Sequence, residues 1–342
     1  MAVDEEWKEF GSWQFMKTFK PPQLNGSIAE VKASLIAHHA SKAANEPASK
    51  EKTTTTENDG VIIQDLSVPA RDNHNIPIRV YKPVKTQKPQ PPVLLWFHGG
   101  GFCFGSLNSE NQNCKDCVLD LDCICINIDF RQAPEHPFPI PVLDCWDVVK
   151  WVSRNAHLLG ADLEAGFVVA GAASGANIAA VLSHLSRDEA LSPPLTGALL
   201  ITPSLADYRV EEHVANSWKG SLNSYVEYRE NQVLDVALIT TMMDAYQPAP
   251  KSLLYNLFAD DDLSRFEGLP KTVLQVCEKD PLRDEALLYE SLLRKNGAKK
   301  TKLYFYSGVP HGFYNWAPHI AASKRLRNDT LEGLRWLLSG SE

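Results

Sequence analysis

Short apolar runs that alternate with helical patterns constrain the fold of this 342-residue chain most strongly. Six such runs are typical of strands buried on both faces, at residues 93–97, 123–130, 167–170, 199–202, 272–277 and 303–306. Helical patterns separate or follow them at residues 111–121, 143–159, 174–185, 285–295 and 321–338. Two further strands, at residues 61–68 and 76–84, flank a polar turn. The alternation predicts an α/β protein with a mostly parallel, eight-stranded sheet and helices on both faces.

Two segments fall outside this alternation, and we predict that they form a cap over the carboxyl ends of the strands. Residues 1–60 combine an aromatic-rich stretch with a Ser-, Lys-, Thr- and Glu-rich stretch at 40–60, which we interpret as a cap segment and a mobile linker. Residues 205–265 contain no buried strand, and an insertion of this length between sheet strands is usually functional. We therefore assign residues 205–265 to a cap insertion and residues 61–204 and 266–342 to the core.

The charge balance and the cysteines exclude several classes of partner. Lys and Arg number 34 against 42 Asp and Glu, giving a net charge of −8, which argues against nucleic-acid and anionic-membrane partners. No apolar run approaches the roughly 18 residues of a membrane helix, and the N-terminus lacks the pattern of a secretory signal. Seven cysteines, an odd number, favour thiols in a reducing compartment, so we predict a cytoplasmic protein. The sequence shows no metal-ligand spacing and predicts no cofactor, and it leaves a homodimer open.

A histidine followed by three glycines comes directly after the strand at 93–97, in the order His98-Gly99-Gly100-Gly101-Phe102. Without Cβ atoms, the backbone N–H groups of such a loop can approach a substrate oxygen and form an oxyanion hole. A phosphate-binding loop is disfavoured because no Lys-Ser or Lys-Thr pair follows. The loop therefore indicates a site that stabilises negative charge on oxygen.

A second loop, between the strand at 167–170 and the following helix, has the frame of a nucleophile elbow. It reads Gly171-Ala172-Ala173-Ser174-Gly175, so alanine occupies the central position where G-x-S-x-G has serine. If Ser174 were the nucleophile, alanines would replace both flanking glycines and crowd the turn. We therefore expect the Ser174 backbone N–H to be an oxyanion donor and Ala173 to mark the nucleophile position.

An acid and a base follow the strands at 272–277 and 303–306. Asp280 lies after the first and His311 after the second, so the order nucleophile, acid, base is that of α/β-hydrolases. In that chemistry the histidine accepts the nucleophile's proton, and the carboxylate orients the imidazole. Asp284 could replace Asp280, but its place at a helix start favours an interaction with the helix N-terminus.

These motifs, from residue 61 onwards, resemble the hormone-sensitive-lipase-like esterases of the α/β-hydrolase fold, and more weakly the hydrolases of fungal secondary metabolism. The resemblance also rests on residues 129–139, Asn177, the stretch from Asp280 to Glu285 and His311-Gly312-Phe313. It implies Asp280 and His311 as triad members and a mobile cap over the site. It implies an oxyanion hole formed by the N–H groups of Gly100, Gly101 and Ser174. Within residues 129–139 we expect Arg131 to pair with Glu135.

Alanine at position 173 leaves three interpretations, because a methyl group cannot attack a carbonyl. The first, which we favour, is a Ser→Ala change made in an intact carboxylic ester hydrolase, of the kind used to trap a substrate. The second is a non-hydrolytic cyclase, lyase or retro-aldol enzyme with His311 as base. The third is a ligand-binding receptor on an esterase scaffold.

Aromatic side chains around the motifs predict the substrate class. We expect Gly99, Phe102, Phe104, Phe313 and Tyr314 to line the site. Aromatic walls suit a flat or hydrophobic ligand. The predicted substrate is a bulky, mostly apolar small-molecule ester, acetyl ester or lactone.

Overall fold

The computed structural model describes residues 55–231, 233–297 and 300–339. Its sheet has nine strands in the order β1-β2-β3-β5-β4-β6-β7-β8-β9. The strands are β1 (Thr55–Asn58), β2 (Val61–Pro69), β3 (Asn75–Pro83), β4 (Val93–Phe97), β5 (Ile124–Ile128), β6 (Phe167–Ala172), β7 (Gly197–Ile201), β8 (Lys271–Lys279) and β9 (Thr301–Pro310). From β5 through β4 to β9 the neighbouring strands are parallel, whereas β1, β2, β3 and β5 pair antiparallel. The prediction of a mostly parallel α/β sheet is confirmed.

Helices connect the parallel strands. Those in the described ranges are α1 (Asn111–Leu121), α2 (Ile140–Leu159), α3 (Ser174–Asp188), α4 (Val210–His213), α5 (Asn216–Lys219), α6 (Ser224–Glu227), α7 (Val236–Tyr246), α8 (Arg283–Lys295), α9 (Phe313–Trp316) and α10 (Ala321–Leu338). A 3₁₀ helix spans Leu263–Phe266. None of these helices has the length and apolar character needed to cross a bilayer.

The ninth strand lies where the sequence predicted a mobile linker, so the linker assignment is wrong for residues 55–58. β1 pairs antiparallel with β2 through a turn in which Asp59 and Gly60 both have positive φ. Its sequence, Thr-Thr-Glu-Asn, carries no apolar pattern. It can still form a strand, because an edge strand pairs through its backbone and does not need apolar side chains. The rest of the predicted N-terminal cap segment and linker, residues 1–54, lies outside the described residues.

Arg131, in the loop after β5, forms ion pairs outside that loop, so the predicted pair is wrong. Arg131 was expected to pair with Glu135, but its guanidinium donates to both carboxylate oxygens of Asp144 on α2, at 2.9 and 2.7 Å. A second contact, 2.7 Å long, joins Arg131 to Asp72. Because Asp144 is almost fully buried, this two-pronged contact gives its carboxylate the partner that burial requires.

The segment between β7 and β8 contains α4, α5, α6, α7 and the 3₁₀ helix, and its described residues form no strand. Its helix α7 packs on the loop that follows β4, where the ring of Phe102 stacks on Tyr246 with centroids 4.0 Å apart. The thiol of Cys103 contacts the carbonyl oxygen of Met242 at 3.6 Å. The segment therefore lies against a loop at the carboxyl end of a central strand, the edge where α/β proteins place their ligands.

Candidate active site

A strained turn joins β6 to α3 and places Ala173 at its tip. Ala173 has φ 52° and ψ −115°, a conformation that L-residues rarely adopt. A Cβ on Gly171 would lie 2.3 Å from the carbonyl of Gly175, and a Cβ on Gly175 would lie 2.1 Å from the Phe97 oxygen. The two glycines are therefore needed because the turn is too tight for side chains. Such strain is typical of functional turns.

Ser174 lies next to Ala173 but differs from it in exposure. Ser174 is the first residue of α3 and is only 2% exposed, whereas Ala173 is half-buried. No hydrogen-bond partner for the Ser174 hydroxyl is found among the described residues. The elbow conformation thus belongs to position 173, and the Ser174 side chain is enclosed by the protein.

The structure brings Asp280 and His311 together. Nδ1 of His311 lies 2.8 Å from Oδ2 of Asp280, which is 1% exposed. The other Asp280 oxygen accepts the Leu282 N–H at 2.9 Å, so both carboxylate oxygens are fixed. With Nδ1 directed at the carboxylate, Nε2 is the nitrogen left for proton transfer.

Asp284, the alternative acid, does not occupy that position. Its Oδ1 accepts from Arg283 at 2.8 Å, and its Oδ2 accepts the Ser224 N–H at 2.8 Å. It lies in the first turn of α8, as the sequence predicted, and there it also satisfies a backbone donor of α6.

The glycine loop packs directly on the elbow. A Cβ built on Gly99 would lie 3.0 Å from the Ala172 oxygen and 3.6 Å from Ala173 Cβ. Gly100 and Gly101 have φ of 116° and 61°, which glycine adopts without penalty. Within the described ranges, the N–H groups of Gly100 and Gly101 donate to no backbone acceptor. The two donors directly follow Gly99, the residue that packs on the elbow.

His98 holds this loop in place. Its buried ring stacks on Phe130 at 4.3 Å, and its Nδ1 contacts the Gly99 carbonyl oxygen at 2.9 Å. Burial lowers the pKa of His98 to about 4, so the ring is neutral and Nδ1–H donates to that carbonyl. Gly105 packs so closely against the ring that a Cβ there would lie 2.0 Å from Nδ1.

Two of the residues predicted to line the substrate are packed in the protein interior, so that prediction is wrong for them. Phe102, 1% exposed, lies under α7 against Tyr246, and Phe313, 0% exposed, begins α9 in a cluster with Tyr306. Phe104 and Tyr314 are half-buried.

Thr202, a strained residue beside the elbow, has no distinguishing signal in the sequence. It follows β7 with φ 44°, an outlier for a β-branched side chain, and its N–H donates to the Gln275 oxygen at 2.8 Å. The preceding residue, Ile201, accepts the Ala173 N–H at 2.9 Å. Ile201 and Thr202 together therefore join the elbow to β8, the strand that precedes Asp280.

Cysteines and metal ligands add no further centre in the described part of the chain. All seven cysteines are buried thiols, including Cys114 and Cys117 on α1. Across residues 55–231, 233–297 and 300–339, no group of three or more His, Cys, Asp or Glu side chains could hold a metal ion.

Comparison with known proteins finds relatives that are named as hydrolases or esterases. An AB hydrolase superfamily protein of Schizosaccharomyces pombe is 34% identical over 82% of this chain and 81% of its own length. Esterase LipI of Mycobacterium tuberculosis is 33% identical over 77% of this chain and 78% of its own length. Versiconal hemiacetal acetate esterase of Dothistroma septosporum is 27% identical over 81% of this chain and 82% of its own length.

Among solved structures, vibralactone cyclase superposes with a TM-score of 0.83 at 24% identity, covering 97% of this chain and 94% of its own, a likeness that concerns the fold. A family model described as alpha/beta hydrolase fold matches residues 94–315. With its esterase relatives and its elbow, glycine loop and Asp–His pair, this chain belongs to the α/β-hydrolase fold family of hormone-sensitive-lipase-like esterases.

Proposed function

We propose that the site is that of a carboxylic ester hydrolase from which only the nucleophilic oxygen is missing. The observation that carries the proposal is the 2.8 Å contact between His311 and Asp280, retained alongside an elbow whose tip is Ala173. A base held by a buried acid has a clear use in acyl transfer, where the imidazole must accept a proton and then return it. The relatives named as esterases support the same reaction class.

Each part of the site has a role in this proposal. A serine at position 173 would attack the ester carbonyl while His311 Nε2 takes its proton, and Asp280 would stabilise the imidazolium. The N–H groups of Gly100, Gly101 and Ser174 would donate to the oxyanion. With Ala173 the chain binds an ester and presents its carbonyl to these donors, but no acyl-enzyme forms.

For the substrate we propose an acetyl or other small acyl ester, or a lactone, on a bulky apolar alcohol. The half-buried rings of Phe104 and Tyr314 support an apolar wall. One relative is named as an esterase of an acetate, which supports a small acyl group.

The test compares the chain with its Ala173→Ser variant on p-nitrophenyl acetate and butyrate. We expect kcat to rise on the order of 10⁴-fold or more, because losing the serine in comparable triads costs about 10⁶. The double variant Ala173→Ser/His311→Ala is the matched control and should return to the parent rate. An Ala173→Ser variant that folds normally but hydrolyses no faster than the parent would contradict the proposal.

A second candidate is a reaction without an acyl-enzyme, in which His311 removes a proton from the substrate for elimination, cyclisation or retro-aldol cleavage. The observation that favours it is the intact His311–Asp280 pair in a chain that lacks the nucleophile. In that case the parent chain converts its substrate, His311→Ala abolishes the conversion, and Ala173→Ser does not increase ester hydrolysis.

A further inference from the structure

Helix α6 of the segment between β7 and β8 meets the N-terminus of α8 in a reciprocal contact. The Ser224 N–H donates to Asp284 Oδ2 at 2.8 Å, and the Asp284 N–H donates to the Ser224 hydroxyl oxygen at 3.2 Å. N–H groups in the first turn of a helix have no partner within the helix. Each helix therefore supplies the acceptor that the other lacks.

The same Ser224 hydroxyl also reaches the backbone next to the catalytic acid. It donates to the carbonyl oxygen of Pro281 at 2.7 Å, and Pro281 directly follows Asp280. Ser224 is 0% exposed, so water cannot take the place of either of these hydrogen-bond partners. The hydroxyl therefore donates to Pro281 and accepts from Asp284, and both bonds fall within residues 281–284.

The turn that Ser224 holds is the one that orients Asp280. The Asp280 carbonyl accepts the Arg283 N–H at 3.0 Å, and its Oδ1 accepts the Leu282 N–H at 2.9 Å. These bonds leave Oδ2 directed at His311. A shift of the backbone at residue 281 would therefore change the angle at which the carboxylate meets the imidazole.

Side chains around this contact strengthen it. The Arg283 guanidinium lies 2.7 Å from the Glu227 carboxylate and 5.2 Å from the centre of the Tyr228 ring. Deeper in the protein, Glu285 Oε2 accepts from the Tyr225 hydroxyl at 3.1 Å and from the Ala206 N–H at 2.7 Å. Most of α6 thus contacts α8 and the turn at residues 281–284.

We infer that Ser224 is a positioning residue for Asp280: its hydroxyl fixes the turn at residues 281–284 and thereby holds the carboxylate on His311. The inference deepens the proposed function and rests on it for the role of the Asp280–His311 pair. Through Ser224, the position of the segment between β7 and β8 is coupled to the orientation of the catalytic acid.

The first test is proton NMR of the parent chain, which needs no activity. A histidine N–H donated to a buried carboxylate gives a separate, far-downfield signal, and His311→Ala assigns it. We expect Ser224→Ala to shift or broaden this signal, and Ser224→Thr, which keeps the hydroxyl, to preserve it. The matched control is Ser217→Ala, which removes a hydroxyl of the same segment that bonds to Asp261 instead. An unchanged signal in Ser224→Ala, with only a lowered melting temperature, would overturn the inference.

The second test is kinetic, in the Ala173→Ser background. We expect Ser224→Ala to lower kcat about tenfold with little change in KM, because small misplacements of catalytic groups reduce the rate of the chemical step. Equal kcat in Ser224→Ala and Ser217→Ala would overturn the inference. If the Ala173→Ser background is inert while the NMR signal responds to Ser224→Ala, the proposed function fails and the inference stands. Should Ser224→Ala not fold, Glu227→Gln, which weakens the half-exposed pair with Arg283, should move the signal in the same direction, and an unmoved signal would contradict the inference.

Discussion

At the scale of single residues, Gly171 and Gly175 determine whether the elbow can form. A Cβ on Gly175 would lie 2.1 Å from the Phe97 carbonyl oxygen and 2.6 Å from that of His98. Neither oxygen is the end of a flexible side chain, so the backbone itself would have to move. The tightness of the turn is therefore a property of the backbone that holds whichever side chain occupies position 173.

Gly175→Ala should destabilise the protein by about 1–3 kcal/mol or more, as other overpacked interiors do. Its matched control is Gly220→Ala, since Gly220 has φ −65° and a Cβ there would meet nothing within 4 Å. The control should leave the free energy of unfolding unchanged or raise it slightly. Urea denaturation measures both, and equal stability of the two variants would contradict the close approach of the elbow to β4.

His98 makes stability depend on pH through its lowered pKa. Burial lowers the pKa of His98 to about 4 from an ordinary value near 6.5, so the unfolded chain binds more protons between these values. The contribution of His98 is therefore complete above pH 6.5 and is lost as pH falls towards 4. Other groups, such as the half-buried Glu110 with its pKa raised to about 7 by desolvation, titrate in an overlapping range with the opposite sign.

The matched comparison is His98→Asn, whose amide can still donate to the Gly99 carbonyl but does not titrate. We expect the stability difference between the parent and His98→Asn to shrink by on the order of 3 kcal/mol from pH 7 to pH 4. Chemical denaturation at several pH values measures this difference. A difference that does not vary with pH would show that His98 is not held neutral by burial.

At the scale of elements, α3 and the segment that follows β7 are joined by one side chain. The amide nitrogen of Asn177 donates to the carbonyl oxygens of Ser204 and Tyr255, at 2.6 and 2.7 Å. Asn177 is 0% exposed. The helix that begins at the elbow thus also fixes the path of the chain towards α4.

Asn177→Ala should cost about 1–3 kcal/mol for each carbonyl that loses its donor and stays buried. Gln112→Ala is the control, because the amide of the exposed Gln112 donates to Asp116 on the same helix, its one hydrogen bond in the part of the chain that the structure describes. Thermal unfolding monitored by circular dichroism should show a clearly lower midpoint for Asn177→Ala alone. Equal midpoints would mean that this contact adds nothing to stability.

Elements with a long, regular pattern could be predicted from the sequence, and elements fixed by tertiary contact could not. β4 has the predicted bounds because all five of its residues are apolar and buried. α1 and α10 have the predicted bounds because most of their apolar residues lie on the face that packs into the core. β1 was missed because its four residues carry no apolar pattern. The contact between Ser224 and Asp284 joins residues 60 apart in the chain, and no local pattern encodes it.

At the scale of the whole molecule, the sheet assembles a site from distant parts of the chain. β4, β6, β8 and β9 are neighbours or near neighbours in one parallel array, so their carboxyl ends bring His98, Ala173, Asp280 and His311 to the same edge. This grouping could be predicted from the sequence, because the carboxyl ends of parallel strands all lie at the same edge of a sheet. Which aromatic rings face a ligand was not predictable, since Phe102 and Phe313 are drawn into the packing around them.

The most direct measurement of the central claim, that one oxygen is missing from an otherwise complete hydrolase site, is intact-protein mass spectrometry after treatment with a fluorophosphonate. The account predicts that the Ala173→Ser variant gains the mass of one phosphonyl group, attached to the introduced serine, while the parent chain and Ala173→Ser/His311→Ala remain unmodified. A phosphonylated parent chain, or an Ala173→Ser variant that stays unmodified although it folds, would contradict it.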